Sequence, residues 1–299
     1  MATGAITQRL GDNERRSQLV KVDFFRVIDQ GVGRIEFRNA LRAAMRSRGA
    51  NRSREVFGER VDLYECHEDG AIIEGEIGRV RMNDTPAIAN RDCSVAEIDL
   101  EDDQGIAERT AFLYDSHRSV LALHAKREAV SASRLAGYCD RFSPNNIDSF
   151  TLNPLLRTDA TQKFNSMNVI KKVEVEYSRG AAVTFGNTDP STRSFVRNLE
   201  ELRGETLTVV VSSGRPKRNH LSLERVTNMV RTALTGRDEV VQKLTISGRN
   251  AGDEKLFIDL LEDRLRVAVE IQFRGRTASY EQRRRAVRRA YDDNLAMLG

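Results

Sequence analysis

The sequence predicts an α+β fold in which mainly antiparallel sheets carry flanking helices, divided into two subdomains. Three observations predict it. The chain of 299 residues, 39% hydrophobic and 31% charged, is long enough to bury a sizeable core. Its apolar residues alternate in many short runs bounded by turn residues, while a few longer stretches repeat with helical period. No apolar run reaches the roughly 18 residues needed to span a bilayer, which argues against direct membrane insertion.

Residues 1–18 are polar, lack the apolar stretch of a secretory signal and read as a loose tail, so a cytosolic protein is expected. "VKVDFFRVI" (20–28) is β-branched and aromatic, hence a strand; Gly31 and Gly33 then lead to a helix near 35–48. "VDLYECHEDGAIIEGEIGRVRM" (61–82) is two alternating runs joined through Asp69-Gly70, residues that tolerate positive φ, and so reads as a hairpin. Strands follow at 110–115 and 119–124, then a helix at 131–142. "RFSPNNIDSFTLNP" (141–154), rich in Pro and Asn, marks the boundary, giving domains at 19–148 and 149–299. In the second half, strands are expected at 168–177, 205–213, 240–247 and 265–273, with helices at 190–203, 221–235 and 279–298.

Cys66, Cys93 and Cys139 are few, odd in number and far apart, which fits a reducing compartment rather than a disulfide framework. The 48 cations include only 8 lysines; the rest are arginine, and the sequence pI is about 9.0. Guanidinium groups bind phosphate bidentately, so the bias suits a phosphate-rich partner, although a GC-rich genome would also produce it. The charge is blocked. Residues 31–60 are strongly basic, whereas 61–104 hold thirteen carboxylates against Arg79, Arg81 and Arg91. Such blocks either present one face to nucleic acid or neutralise each other on folding.

Four basic surfaces are candidates for DNA-phosphate contact. Arg34, Arg38, Arg42 and Arg46 recur every four residues and form a ridge on the first helix, a spacing an ordinary solvated face shares. In the last helix Arg285, Arg288 and Arg289 project opposite an apolar arc of Tyr280, Val287, Tyr291, Leu295 and Leu298; pairing of Glu281 with Arg285 explains part of that pattern. The loop "SGRPKRNH" supplies Arg215, Lys217 and Arg218 just before a helix start. Arg157 and Lys163 precede the strand "NVIKKVEVEY", whose Lys172, Glu174 and Glu176 face one side and Val173, Val175 and Tyr177 the other.

Catalytic patterns are missing. There is no phosphate-binding loop ending in GK[ST] and no GxSxG elbow. His67, His117, His124 and His220 are scattered, and neighbours Cys66 and His67 point to opposite faces of a strand, so no zinc site and no cofactor is expected. "DLEDDQG" and "GDEKLF" (252–257) carry carboxylates that could hold magnesium, which keeps a metal-dependent nuclease as the alternative to a non-enzymatic binder. A third reading is an interaction module whose acidic 61–104 stretch docks a basic partner.

The hairpin quoted above, then "CSVAEIDLEDDQGIAERTAFLYD", then "NPLLRTDATQKFNSMNVIKKVEVEYS" resemble, in order and spacing over 58–178, the RexA family of lambdoid phage superinfection exclusion. The resemblance implies a cytosolic, sequence-tolerant DNA-binding protein, dimeric, working with a separate membrane-protein effector in abortive infection. The high arginine content and longer basic amino-terminal region depart from that family, and no motif carries DNA-contact residues across. The expectation is therefore a phage-exclusion protein that binds double-stranded DNA through its phosphates.

Overall fold

The computed structural model describes residues 15–29, 36–83, 85–126, 128–143, 150–178, 197, 201–202, 205–214, 219–235 and 241–298. Two antiparallel sheets dominate. In chain order the strands of the larger are β1 (Arg15–Asp29), β2 (Ser53–Val56), β3 (Glu59–Asp69), β4 (Ile72–Arg81), β7 (Ile106–Asp115), β8 (Val120–His124), β9 (Phe150–Pro154) and β14 (Arg266–Arg274). They lie in the order β14-β1-β8-β7-β4-β3-β2, with β9 also on β1. The smaller sheet, β11-β10-β12-β13, comprises β10 (Met167–Ser178), β11 (Thr206–Ser212), β12 (Val241–Asn250) and β13 (Lys255–Asp259). A short ribbon pairs β5 (Ile88–Ala89) with β6 (Val95–Ala96).

Alternation sends each strand of the large sheet two ways, and helices cover both faces. Phe25, Val27, Ile73, Ile77, Phe112, Tyr114, Leu121 and Leu123 meet α1 (Phe37–Arg46) and α2 (Ala132–Asp140). Phe37 packs edge-on against Tyr114 at 4.9 Å and Phe150 at 5.2 Å between ring centres, pairs that add about 0.5–1.5 kcal/mol beyond their burial. Val20, Val22, Phe24, Ala111, Leu113 and Ala122 face the opposite way and meet α5 (Tyr280–Asp293), whose Ala286, Val287, Ala290 and Tyr291 are buried, and Leu298 of the short α6 (Leu295–Leu298). Helix starts follow from capping: Ser131 accepts from Arg134 N, and Ser279 forms a reciprocal box with Gln282.

The second core lies under the small sheet, where Val173, Val175 and Tyr177 of β10 pack with Leu244, Ile246 and residues of α3 (Thr158–Ser166) and α4 (Leu223–Thr235). This unit is an insertion. β9 and β14 lie end to end along one edge of β1, on Phe25–Asp29 and Arg15–Asp23 respectively. The chain leaves and returns between them through a two-stranded neck, in which Leu265 N donates to Leu155 O at 2.7 Å and Arg157 N to Asp263 O at 2.9 Å. A division at 148/149 is therefore corrected: β9, β14 and α5 belong to the first sheet, and the second unit spans about 155–265.

Other expectations shift by smaller amounts. β1 begins at Arg15, so the tail does not extend to 18. The central hairpin turns at Gly70-Ala71, because Asp69 pairs with Ile72 and Gly70 takes φ 58°. The stretch before β10, where no element was expected, contains β9 and α3. Most of the helix expected at 190–203 lies outside the described residues, as do Arg34, Arg215, Lys217 and Arg218.

Candidate nucleic-acid interface

Most of the arginines singled out in the sequence answer carboxylates of the protein itself. Arg38 Nε donates to Glu68 Oε1 at 2.8 Å, and Arg42 Nε and Nη2 donate to Glu68 at 2.9 and 2.7 Å. Hydrogen bonds from Arg42 and then Arg38 hold the Glu68 carboxyl below its ordinary value. The ridge on α1 is thus anchored to the tip of β3, and of its described members only Arg46 is exposed. Arg52 is likewise absorbed, donating to Met45 O and Ser47 O at the carboxy-terminal end of α1.

The same holds beneath α5. Glu74 and Glu76 of β4 point at that helix and are buried, Glu76 to 1% exposure. Arg284 Nη1 reaches Glu74 at 2.6 Å and Arg288 Nε at 2.8 Å; Glu76 takes Arg283 Nε at 3.2 Å and Arg109 Nη1 at 3.2 Å. A buried carboxylate without such partners would cost several kcal/mol, so these guanidinium groups dock the helix. The acidic block at 61–104 is in part this inward-facing set. Arg134 of α2 is buried and shares Glu59 with Arg79 in the same manner on the other face.

The remaining described candidates are exposed. Arg157 pairs with Asp263 across the neck at 3.0 Å, and Lys163 lies 3.9 Å from Asp159 on α3. Arg285 and Arg289, 74% and 70% exposed, hold Glu281 at 2.9 Å and Asp293 at 3.5 Å one turn away. Exposed single pairs of this kind contribute under about 1 kcal/mol and yield to a stronger anion.

A different basic site arises where the two ends of the chain meet. Register places Arg15 of β1 directly opposite Arg274 of β14, with Arg16 next in β1 on the other face and Arg276 in the link to α5. Among the described residues none of the four has a carboxylate partner. Like charges facing each other across an antiparallel pair are unfavourable unless an anion lies between them. Arg15, Arg274, Gln272, Phe273, Thr277, Ser279 and Gln282 line an open depression of about 680 Å³ there. The amino-terminal end of α5, positive by its dipole, points at it. From that depression Gln282, Arg285 and Arg289, spaced by three and four, run along one side of α5. These exposed arginines, at the tip and along α5, are the candidate cationic track. Of the arginines picked out in the sequence, the track includes Arg285 and Arg289; Arg15, Arg16, Arg274 and Arg276 were not expected, since only the β1–β14 register joins them.

A family model, described as a family of unknown function and named DUF6731, matches residues 16–296. The chain belongs to that family. The matched span runs from β1 to α6, so both sheets, and all of the track except Arg15, fall within the unit the family defines. No curated protein matches the chain.

Neither acidic run gathers into a metal site. Asp99, Glu101, Asp102 and Asp103 sit in a loop between β6 and β7, while Asp253 pairs with Arg249 and Glu254 accepts from Asn250. Among the described residues no group of three or more His, Cys, Asp or Glu side chains is placed to hold a metal ion, and no helix is long and apolar enough to cross a membrane. Burial pushes the Cys66 thiol up to about 12 and raises Cys139 well above its usual value, which makes both poor nucleophiles.

Proposed function

We propose that this protein binds double-stranded DNA through the phosphate backbone, along the track from Arg15, Arg16, Arg274 and Arg276 to Arg285 and Arg289. The observation that carries this reading is the facing pair Arg15 and Arg274, held side by side without a carboxylate beside an open depression. A phosphate seated there would accept from both guanidinium groups and relieve their repulsion. Contacts of this type position a backbone and read no bases, so binding would be tolerant of sequence. The resemblance to the RexA family adds a setting to this reading: phage exclusion, by a cytosolic homodimer acting with a separate membrane-protein effector. A gel-shift series with one duplex from low to high salt tests the binding. Affinity that falls steeply with salt supports the reading, and affinity independent of salt, or no retention of any duplex, removes it.

A further inference from the structure

The β2–β3 hairpin carries an aromatic side chain in a conformation that aromatic residues avoid. Val56 pairs with Glu59, leaving Phe57 and Gly58 as the two turn residues, at φ 52° and 73°. Such a turn favours Asn-Gly, because both positions need positive φ, and a bulky residue there is strained. The strain does not serve to bury the ring, which is 42% exposed. It lies against α2 at Gly137, where an added Cβ would come within 2.9 Å of Val56 Cγ1 and 3.7 Å of Phe57 Cζ. A glycine inside a helix, itself unfavourable, is what lets the hairpin seat so closely.

Cations lie on the neighbouring segments. Arg141 follows Gly137 by four residues, so it lies on the same side of α2 one turn on, and it is exposed. Arg54, two residues before Val56 on the same face of β2, stacks over Phe142 at 4.1 Å and donates from Nη1 to Asn51 O and Ser53 O, which leaves its other amino group toward the surface. Arg48, next to the adjoining 3-10 turn, is exposed as well. Of the two carboxylates flanking the turn, Glu59 is taken by Arg134 and Arg79, and Glu55 is exposed on β2. An exposed aromatic with guanidinium groups on adjoining segments is an arrangement by which proteins stack an unpaired base and hold its backbone, and strain at such a side chain points to function.

We infer that Phe57, with Arg54 and Arg141, forms a second nucleic-acid contact that stacks one unpaired base of a single-stranded segment. It rests on the reading of the protein as a nucleic-acid binder but not on the β1–β14 tip, since β2 and β14 are opposite edges of the large sheet. The test compares F57N and F57Y with the wild type, using a fluorescein-labelled oligothymidylate and a blunt duplex in anisotropy titrations. Asn suits the turn, so F57N folds and its melting temperature stays within a few degrees of wild type. The expected result is oligothymidylate binding weakened about 5- to 100-fold in F57N and retained in F57Y, with duplex affinity unchanged in both. Loss of duplex binding in the R15A/R274A variant alone belongs to the tip and leaves this contact standing. Wild-type protein that ignores oligothymidylate, or F57N that binds it as tightly as wild type, overturns the inference; in the second case a protein partner is the better occupant of the ring.

Discussion

Replacing Glu76 by Gln removes the charge at the centre of the α5 dock while keeping its shape and one acceptor. Glu76 is 1% exposed and receives Arg283, itself buried, so the substitution strands a guanidinium in a low-dielectric layer. Breaking a buried pair from one side costs about 3–5 kcal/mol, and the retained amide acceptor sets the expectation at the lower end, about 3 kcal/mol. Arg109, nearly half exposed, adds under about 1 kcal/mol. The melting temperature, followed by far-ultraviolet circular dichroism, falls by roughly 6–12 °C. The double replacement E76L/R283M removes both charges together and recovers most of that loss. A drop in E76Q no larger than that of R109A refutes the claim that these ion pairs, rather than the apolar arc of α5, decide the docking.

Further predictions follow from the same layer. Burial, with Arg283 and Lys126 nearby, lowers His124 from 6.5 to about 4. The unfolded chain therefore takes up this proton near pH 6.5 and the folded chain only near pH 4, so stability falls with acidification across that window by about 3 kcal/mol in all. His124→Asn flattens the slope of urea-derived stability between pH 7 and pH 5; an unchanged slope places the titration elsewhere. Gly75→Ala puts a Cβ 2.6 Å from the Phe112 ring and 2.7 Å from Glu65 O in the centre of the large sheet, and costs about 1–3 kcal/mol in urea unfolding.

Local periodicity made most strands and helices legible. The hairpin of β3 and β4 and the two-sided pattern of β10 could be read because a single face is buried in each stretch and the side-chain period follows directly. Short elements gave too few residues to show a period, which is why β2, β9 and α3 were not expected. The insertion was hidden for another reason: nothing in residues 266–298 states that β14 pairs with the first strand of the chain. That same pairing creates the Arg15–Arg274 site, so the least legible feature of the fold carries the candidate interface. Runs of arginine misled in a systematic way. Arg38, Arg42 and Arg288 look like a binding surface until the carboxylates they answer, Glu68 and Glu74, appear from strands far along the chain.

The measurement that bears most directly on the central claim is the dependence of duplex affinity on salt for wild type, R15A/R274A and R38A. Each phosphate contact contributes about 0.9 to the slope of log affinity against log salt, so loss of two contacts at the tip reduces the slope by about 1.8, while R38A, whose guanidinium is held by Glu68, keeps the wild-type slope. Equal slopes for wild type and R15A/R274A, or a larger loss in R38A, contradict the account.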